Sequence, residues 1–150
     1  MAAKQKVYLD ASVFMAAAGS PSGGSSLILE VCKGHIFSAV TTRKVLLEAQ
    51  KNIRKKLSKE AILRFYKEIA SLDPEIGEPA TSEELNHYEN VIAPKDCHVL
   101  ASAIKSKSSF LITLDRRHFQ TETIKQANLP ITIMTPKEFL EWVRKKYETS

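Results

Sequence analysis

Cysteine is almost missing from this sequence: Cys32 and Cys97 are the only two among 150 residues. That excludes a secreted scaffold held by disulfides, and neither cysteine has the Cys/His spacing of a zinc site. Long apolar runs are missing too. The longest, residues 13–18, has six residues, against the roughly 18 needed to span a bilayer. The apolar stretch after Lys6 is interrupted at once by Asp10, which is not the pattern of a signal peptide. Glycine is scarce, and three of the five glycines fall in Gly19-Ser20-Pro21-Ser22-Gly23-Gly24. No Gly-Lys-Ser/Thr follows, so this segment is not a phosphate-cradling P-loop. Internal repeats, low-complexity tracts and long linkers are absent as well. These absences predict a cytoplasmic protein with reduced thiols and no membrane attachment, with residues 1–150 folded as a single domain.

What is present is ordinary in amount and uneven in placement. Apolar residues make up 43% and charged residues 26%, globular values that allow a chain of this length one real core. The formal net charge is +5. Residues 1–60 hold ten Lys/Arg against four Asp/Glu, whereas residues 61–150 hold twelve against thirteen. The densest basic run is Lys51-Asn52-Ile53-Arg54-Lys55-Lys56. Such a run is either a solvated helix face or a phosphate-binding surface. Residues 73–92 contain six acids and no Lys or Arg, a poor surface for a phosphate backbone.

Val7-Tyr8-Leu9 is a short apolar run ending on Asp10, as a buried parallel strand does. A helical stretch over residues 13–18 stops at the Gly/Ser/Pro segment. Ser25 or Ser26 then caps a helix bearing Leu27, Ile28 and Val31, with Gly34 as its stop. Residues 36–40 read as a second strand. Thr42 caps a helix to about Lys56 whose apolar stripe is Leu46, Ala49, Ile53 and Leu57. Ser58 opens another, with Ile62, Phe65, Tyr66 and Ile69 at helical spacing. After a connection over 73–80, Thr81 and Glu84 form a capping box for a helix to about Val91. Pro94 suits the first turn of the next helix, with Val99, Leu100, Ala103 and Ile104 inward. Residues 110–114 are a continuous apolar run ending on Asp115, and residues 131–134 are a last strand. A second capping box, Thr135 with Glu138, launches a C-terminal helix carrying Phe139, Leu140, Val143 and Tyr147. Short apolar strands alternating with amphipathic helices specify an α/β protein, a three-layer α/β/α sandwich around a mostly parallel sheet.

Ligands of open α/β sheets bind beyond the C-terminal ends of the strands. Two apolar strands here run into an aspartate, Asp10 and Asp115; neighbouring strands would set the two carboxylates side by side. Each aspartate also has a local use, capping the helix that follows. Asp96 lies in the first turn of the Pro94 helix, in phase with the inward stripe. The helix dipole favours an acid there, but a buried carboxylate needs a cation or several donors. No basic residue falls at helical spacing on that face, and a metal ion would supply the charge. Glu48 lies opposite the stripe of its helix, with Lys44 and Lys51 at ion-pair spacing. Converging carboxylates suit Mg²⁺ or Mn²⁺ better than zinc, and a cation so held is suited to cutting a phosphodiester. Ser12 and Thr113 stand two residues from Asp10 and Asp115, placed to hydrogen-bond a metal ligand or bound water.

Four segments, in order, cover nearly the whole chain: Val7-Tyr8-Leu9-Asp10-Ala11-Ser12, residues 42–48, Pro94-Lys95-Asp96-Cys97-His98-Val99-Leu100-Ala101-Ser102-Ala103, and Phe110-Leu111-Ile112-Thr113-Leu114-Asp115-Arg116-Arg117-His118-Phe119. Together they resemble the PIN domain, the Rossmann-like fold of VapC-type toxins and many RNA-processing nucleases. The resemblance implies that Asp10, Glu48, Asp96 and Asp115 form an acidic catalytic metal site supported by Ser12 and Thr113. It implies Mg²⁺- or Mn²⁺-dependent hydrolysis of RNA, often by a homodimer; for a toxin, it implies an antitoxin protein as partner. Arg116, Arg117 and His118 follow Asp115 closely and are candidates to grip the RNA, the alternative being simple solvation. His98 is expected to face outward. No further acid stands one or two residues from Asp96 or Asp115, so a second ion position is not evident.

Two other readings fit the same residues. One is a non-catalytic PIN-like RNA-binding or scaffold domain. The other is a phosphoaspartate phosphohydrolase with Asp10 as nucleophile. That pattern wants an aspartate at position 12, where this chain has serine, or a lysine closing a later strand.

Overall fold

The computed structural model describes residues 3–148. Among them five strands lie side by side and all run parallel: β1 (Gln5–Leu9), β2 (Phe37–Thr41), β3 (Glu75–Ile76), β4 (Phe110–Ile112) and β5 (Thr132–Met134). Val7, Tyr8, Leu9, Val40, Leu111 and Ile112 are all fully buried. Helices cover both faces of the sheet, so these strands are apolar without alternation. The result is the expected three-layer α/β sandwich.

The helices are α1 (Ala11–Gly19), α2 (Gly24–Val31), α3 (Arg43–Lys56), α4 (Lys59–Leu72), α5 (Ser82–His87), α6 (Cys97–Lys105), α7 (Arg116–Phe119), α8 (Glu122–Gln126) and α9 (Pro136–Glu148), with a 3₁₀ turn at Pro94–Asp96 entering α6. α1 packs on α2, α3 and α4, and α9 on α2. No helix of the described residues is long and apolar enough to cross a membrane.

Strand order is β3-β2-β1-β4-β5. The chain winds outward from β1 through β2 to β3, then returns to the other side of β1 as β4. That reversal opens a crevice at the C-terminal ends of β1 and β4, where doubly wound sheets bind ligands. Asp10 leaves β1 at this point, and its amide donates to Ile112 O at 3.2 Å.

Several local expectations change. α2 is capped by Gly23 with no side-chain hydrogen bond. Ser25 is buried, and Ser26 instead donates to the carbonyls of Ala17 and Ser20. Leu29 fills the core while Leu27 is half exposed. α5 ends at His87 rather than near Val91, because it buries no residue and nothing holds a longer helix. β4 stops at Ile112: the amides of Leu114 and Asp115 turn to the hydroxyls of Ser12 and Thr113. β3 and the short helices α7 and α8 add to the elements the sequence pattern predicts; Phe119 and Ile124 anchor the two helices in the core.

Candidate metal centre

Asp10 is 9% exposed and caps α1. Its Oδ1 accepts from Ala11 N at 2.7 Å, and its Oδ2 accepts from Thr113 Oγ1 at 2.7 Å and Ser12 Oγ at 3.3 Å. Thr113 Oγ1 also accepts from Asp115 N at 3.1 Å, and Ser12 Oγ accepts from Leu114 N at 3.0 Å. Ser12 and Thr113 therefore stitch the ends of β1 and β4 together. Asp10 is both a helix cap and a carboxylate facing the crevice, and neither use excludes the other.

Asp115 caps α7. Its Oδ1 accepts from His118 N at 3.1 Å, and its Oδ2 lies 2.7 Å from His118 Nδ1. Asp96 enters from the turn before α6. One ligand atom each from Asp96, Asp115 and His118 lie within 4.8 Å of one another, all three residues half-buried. Asp96 Oδ2 is buried with no hydrogen-bond partner. A buried carboxylate oxygen without a donor is costly, and converging carboxylates are the donors a divalent cation such as Mg²⁺ or Mn²⁺ accepts. The residues present fit such an ion.

Glu48 joins from α3. Among the described residues no lysine lies within ion-pair distance of it; His98 Nε2 is 3.9 Å from its carboxylate. Burial raises its carboxyl above the usual range, and the charges of Asp10 and Asp96 raise it further. Asp10 and Asp96 are likewise raised, chiefly by burial, with Asp96 adding to Asp10 and Asp115 to Asp96. Each carboxylate thus feels its neighbours, as groups converging on one crevice do. His98 does not face outward: its side chain is 13% exposed. Burial, then Lys44, lowers its pKa to about 4, so it stands as neutral imidazole beside Glu48. The signal was available in the sequence, because α6 has small or apolar residues all round and no free face.

Positive charge rims this acidic crevice. Lys95 and Lys44 partly offset Glu48, and His118 and Lys95 partly offset Asp96. Arg116 and Arg117 are both exposed, and Arg116 Nε donates to Gln120 Oε1 at 3.1 Å at the end of its own helix.

A family model for the PIN domain matches residues 6–117. A search of curated proteins finds no sequence match. Three solved structures share the fold at low identity. PAE2754 of Pyrobaculum aerophilum is 16% identical over 94% of this chain and 96% of its own, at a TM-score of 0.60. VapBC2 of Rickettsia felis, solved bound to a DNA fragment from its promoter, is 14% identical over 87% and 98%, at 0.59. VapC20 of Mycobacterium tuberculosis, a toxin that cleaves the sarcin–ricin loop, is 13% identical over 82% and 95%, at 0.55.

Proposed function

Because this chain belongs to the PIN domain family, we propose that it is a Mg²⁺- or Mn²⁺-dependent endoribonuclease, with residues 1–150 as one nuclease domain. The observation that carries this reading is Asp96 Oδ2, buried and without a partner beside Asp115, at the switch point of the sheet. Asp10, Glu48, Asp96 and Asp115 hold the cation and the reacting groups. When bound, the ion supplies charge that acidifies a water and offsets the scissile phosphate. Thr113 and Ser12 fix the Asp10 carboxylate by hydrogen bonds to Oδ2. Glu48, half exposed and raised in pKa, takes the proton from the attacking water. Arg117, Arg116 and Lys95 bring the RNA backbone to a crevice whose own carboxylates repel it. The likeness to VapC20 and VapBC2 extends the proposal to a toxin acting in the cytoplasm, as a homodimer neutralised by an antitoxin protein.

The direct test is a labelled RNA incubated with Mn²⁺, with EDTA, and with Asp10→Asn protein. Cleavage should require the metal and fall at least a hundredfold in the variant, while the variant's melting curve stays cooperative. Cleavage in EDTA, or full activity of Asp10→Asn, overturns the reading. RNA binding without cleavage at millimolar Mn²⁺ turns it toward a non-catalytic RNA-binding domain.

A further inference from the structure

Three groups of this crevice, not two, are close enough to share one ion, and the third is a nitrogen. We propose that His118 is an inner ligand of the cation, joining Asp96 and Asp115, and that its nitrogen makes the site select Mn²⁺ over Mg²⁺. This rests on the metal-dependent reading above and narrows it.

The geometry is already that of a ligand pair. His118 Nδ1 and Asp115 Oδ2 are 2.7 Å apart, close to the roughly 3 Å between adjacent ligands on an ion held at about 2.1 Å. The imidazole is not free to wander from this place. Its backbone amide is bonded to Asp115 Oδ1, and the next residue, Phe119, is 1% exposed. The opposing Asp96 Oδ2 has no donor. Along the chain no acid stands one or two residues from Asp115, and His118 is the metal-binding side chain its own helix brings beside it. Without an ion, a ring N–H at Nδ1 donates to Asp115. With one, the neutral ring offers the Nδ1 lone pair to the metal and keeps its proton on Nε2.

An imidazole changes which metal is favoured. Mg²⁺ holds to oxygen ligands and sheds its waters reluctantly. Mn²⁺ accepts nitrogen together with carboxylates and lies at the weak end of the transition-metal affinity order, so it exchanges readily. The residue read from sequence as a candidate RNA contact is thereby assigned to the metal instead.

Pulsed electron paramagnetic resonance of Mn²⁺ bound to the full chain tests this, with and without ¹⁵N-histidine labelling. The expected result is a directly bound nitrogen in the wild type, retained in His98→Gln and lost in both His118→Asn and His118→Asp. By calorimetry, His118→Asn should weaken Mn²⁺ at least tenfold, and His118→Asp should narrow the Mn²⁺/Mg²⁺ preference at least fivefold. Wild-type protein that binds Mn²⁺ with no nitrogen coupling, or whose coupling survives His118→Asn, overturns the ligand assignment; RNA cleavage by that protein leaves the nuclease reading standing. Absence of Mn²⁺ binding at millimolar concentration overturns both. The wild-type spectrum decides by itself, so the test stands even for a variant that fails to fold.

Discussion

At the N-terminal end of the sheet, Phe37 and Phe110 begin β2 and β4 and meet Phe139 of α9 edge-on at 5.2 Å each, with Trp142 4.9 Å from Phe110. At the C-terminal end, β1 and β4 run out instead into Asp10 and Asp115, and there burial, with repulsion from neighbouring carboxylates, holds Asp10, Glu48 and Asp96 above their usual pKa. The aromatic end satisfies itself: large apolar surface is removed from water and the ring geometry is favourable. The carboxylate end is held in place by the rest of the fold and is unfavourable when ionised. One end of the strands stabilises the protein, and the other spends part of that stability on a site that a ligand can complete.

The largest break in this contrast comes from the aromatic end. Phe37→Ala removes a ring that is 1% exposed and touches Phe110, Phe139, Trp142 and Tyr147. It should destabilise the chain by about 3–5 kcal/mol, measured by urea unfolding. Mn²⁺ affinity of the fraction that remains folded should be unchanged, because Phe37 lies at the opposite end of the strands from the carboxylates. A matching loss of metal affinity would show that the ends are coupled.

Thr113→Val is the intermediate case. Its hydroxyl donates to Asp10 and accepts from Asp115 N, joining the two aspartates through one group. Valine keeps the volume and leaves that amide and much of Asp10 Oδ2 unsatisfied, at a cost of about 1–3 kcal/mol. Unlike the aromatic variant, it should also slow Mn²⁺-dependent RNA cleavage on the order of tenfold, the size of effect seen when a ligand's supporting hydrogen bond is removed. A stability loss with cleavage untouched would make Thr113 purely structural.

How legible these two ends are in the sequence follows from how each is built. Asp10 reads out of the chain because a continuous apolar strand stops on it. Asp115 reads out for the same reason, although β4 itself ends three residues earlier, where side-chain hydroxyls capture the ladder amides. Glu48 does not, since helical periodicity places it opposite the buried stripe of α3. Its side chain is half exposed at the edge of the crevice, a fact of tertiary placement that no local period records. The outward placement expected for His98 requires an open outer face on α6, and the His98 side chain is 13% exposed instead. β3 has two residues, both exposed, and α7 and α8 have four and five, too short to announce themselves before Phe119 and Ile124 find the core.

The smallest effect has the opposite sign. Asp96→Asn removes a charge from the crowded end while keeping the shape, and should raise stability at neutral pH by about 1 kcal/mol, allowing for solvent screening of a half-buried group. The sign is set by the direction of the shift. The folded state holds the Asp96 proton more tightly than the unfolded chain does, with its carboxyl raised from 3.8. Below pH 3.8 both states are protonated and the variant gains nothing. As pH rises through the raised folded value, the wild type gives up stability that the variant retains, so the difference between their unfolding free energies should open across that window and then level off. A difference that shrinks with rising pH would mean that Asp96 is held by a favourable partner instead. Saturating Mn²⁺ should then reverse the order of the two proteins. Mn²⁺ at 100 times its dissociation constant adds about 2.7 kcal/mol to a protein that binds it, and Asp96→Asn forfeits most of that gain because it lacks the carboxylate oxygen the ion would neutralise.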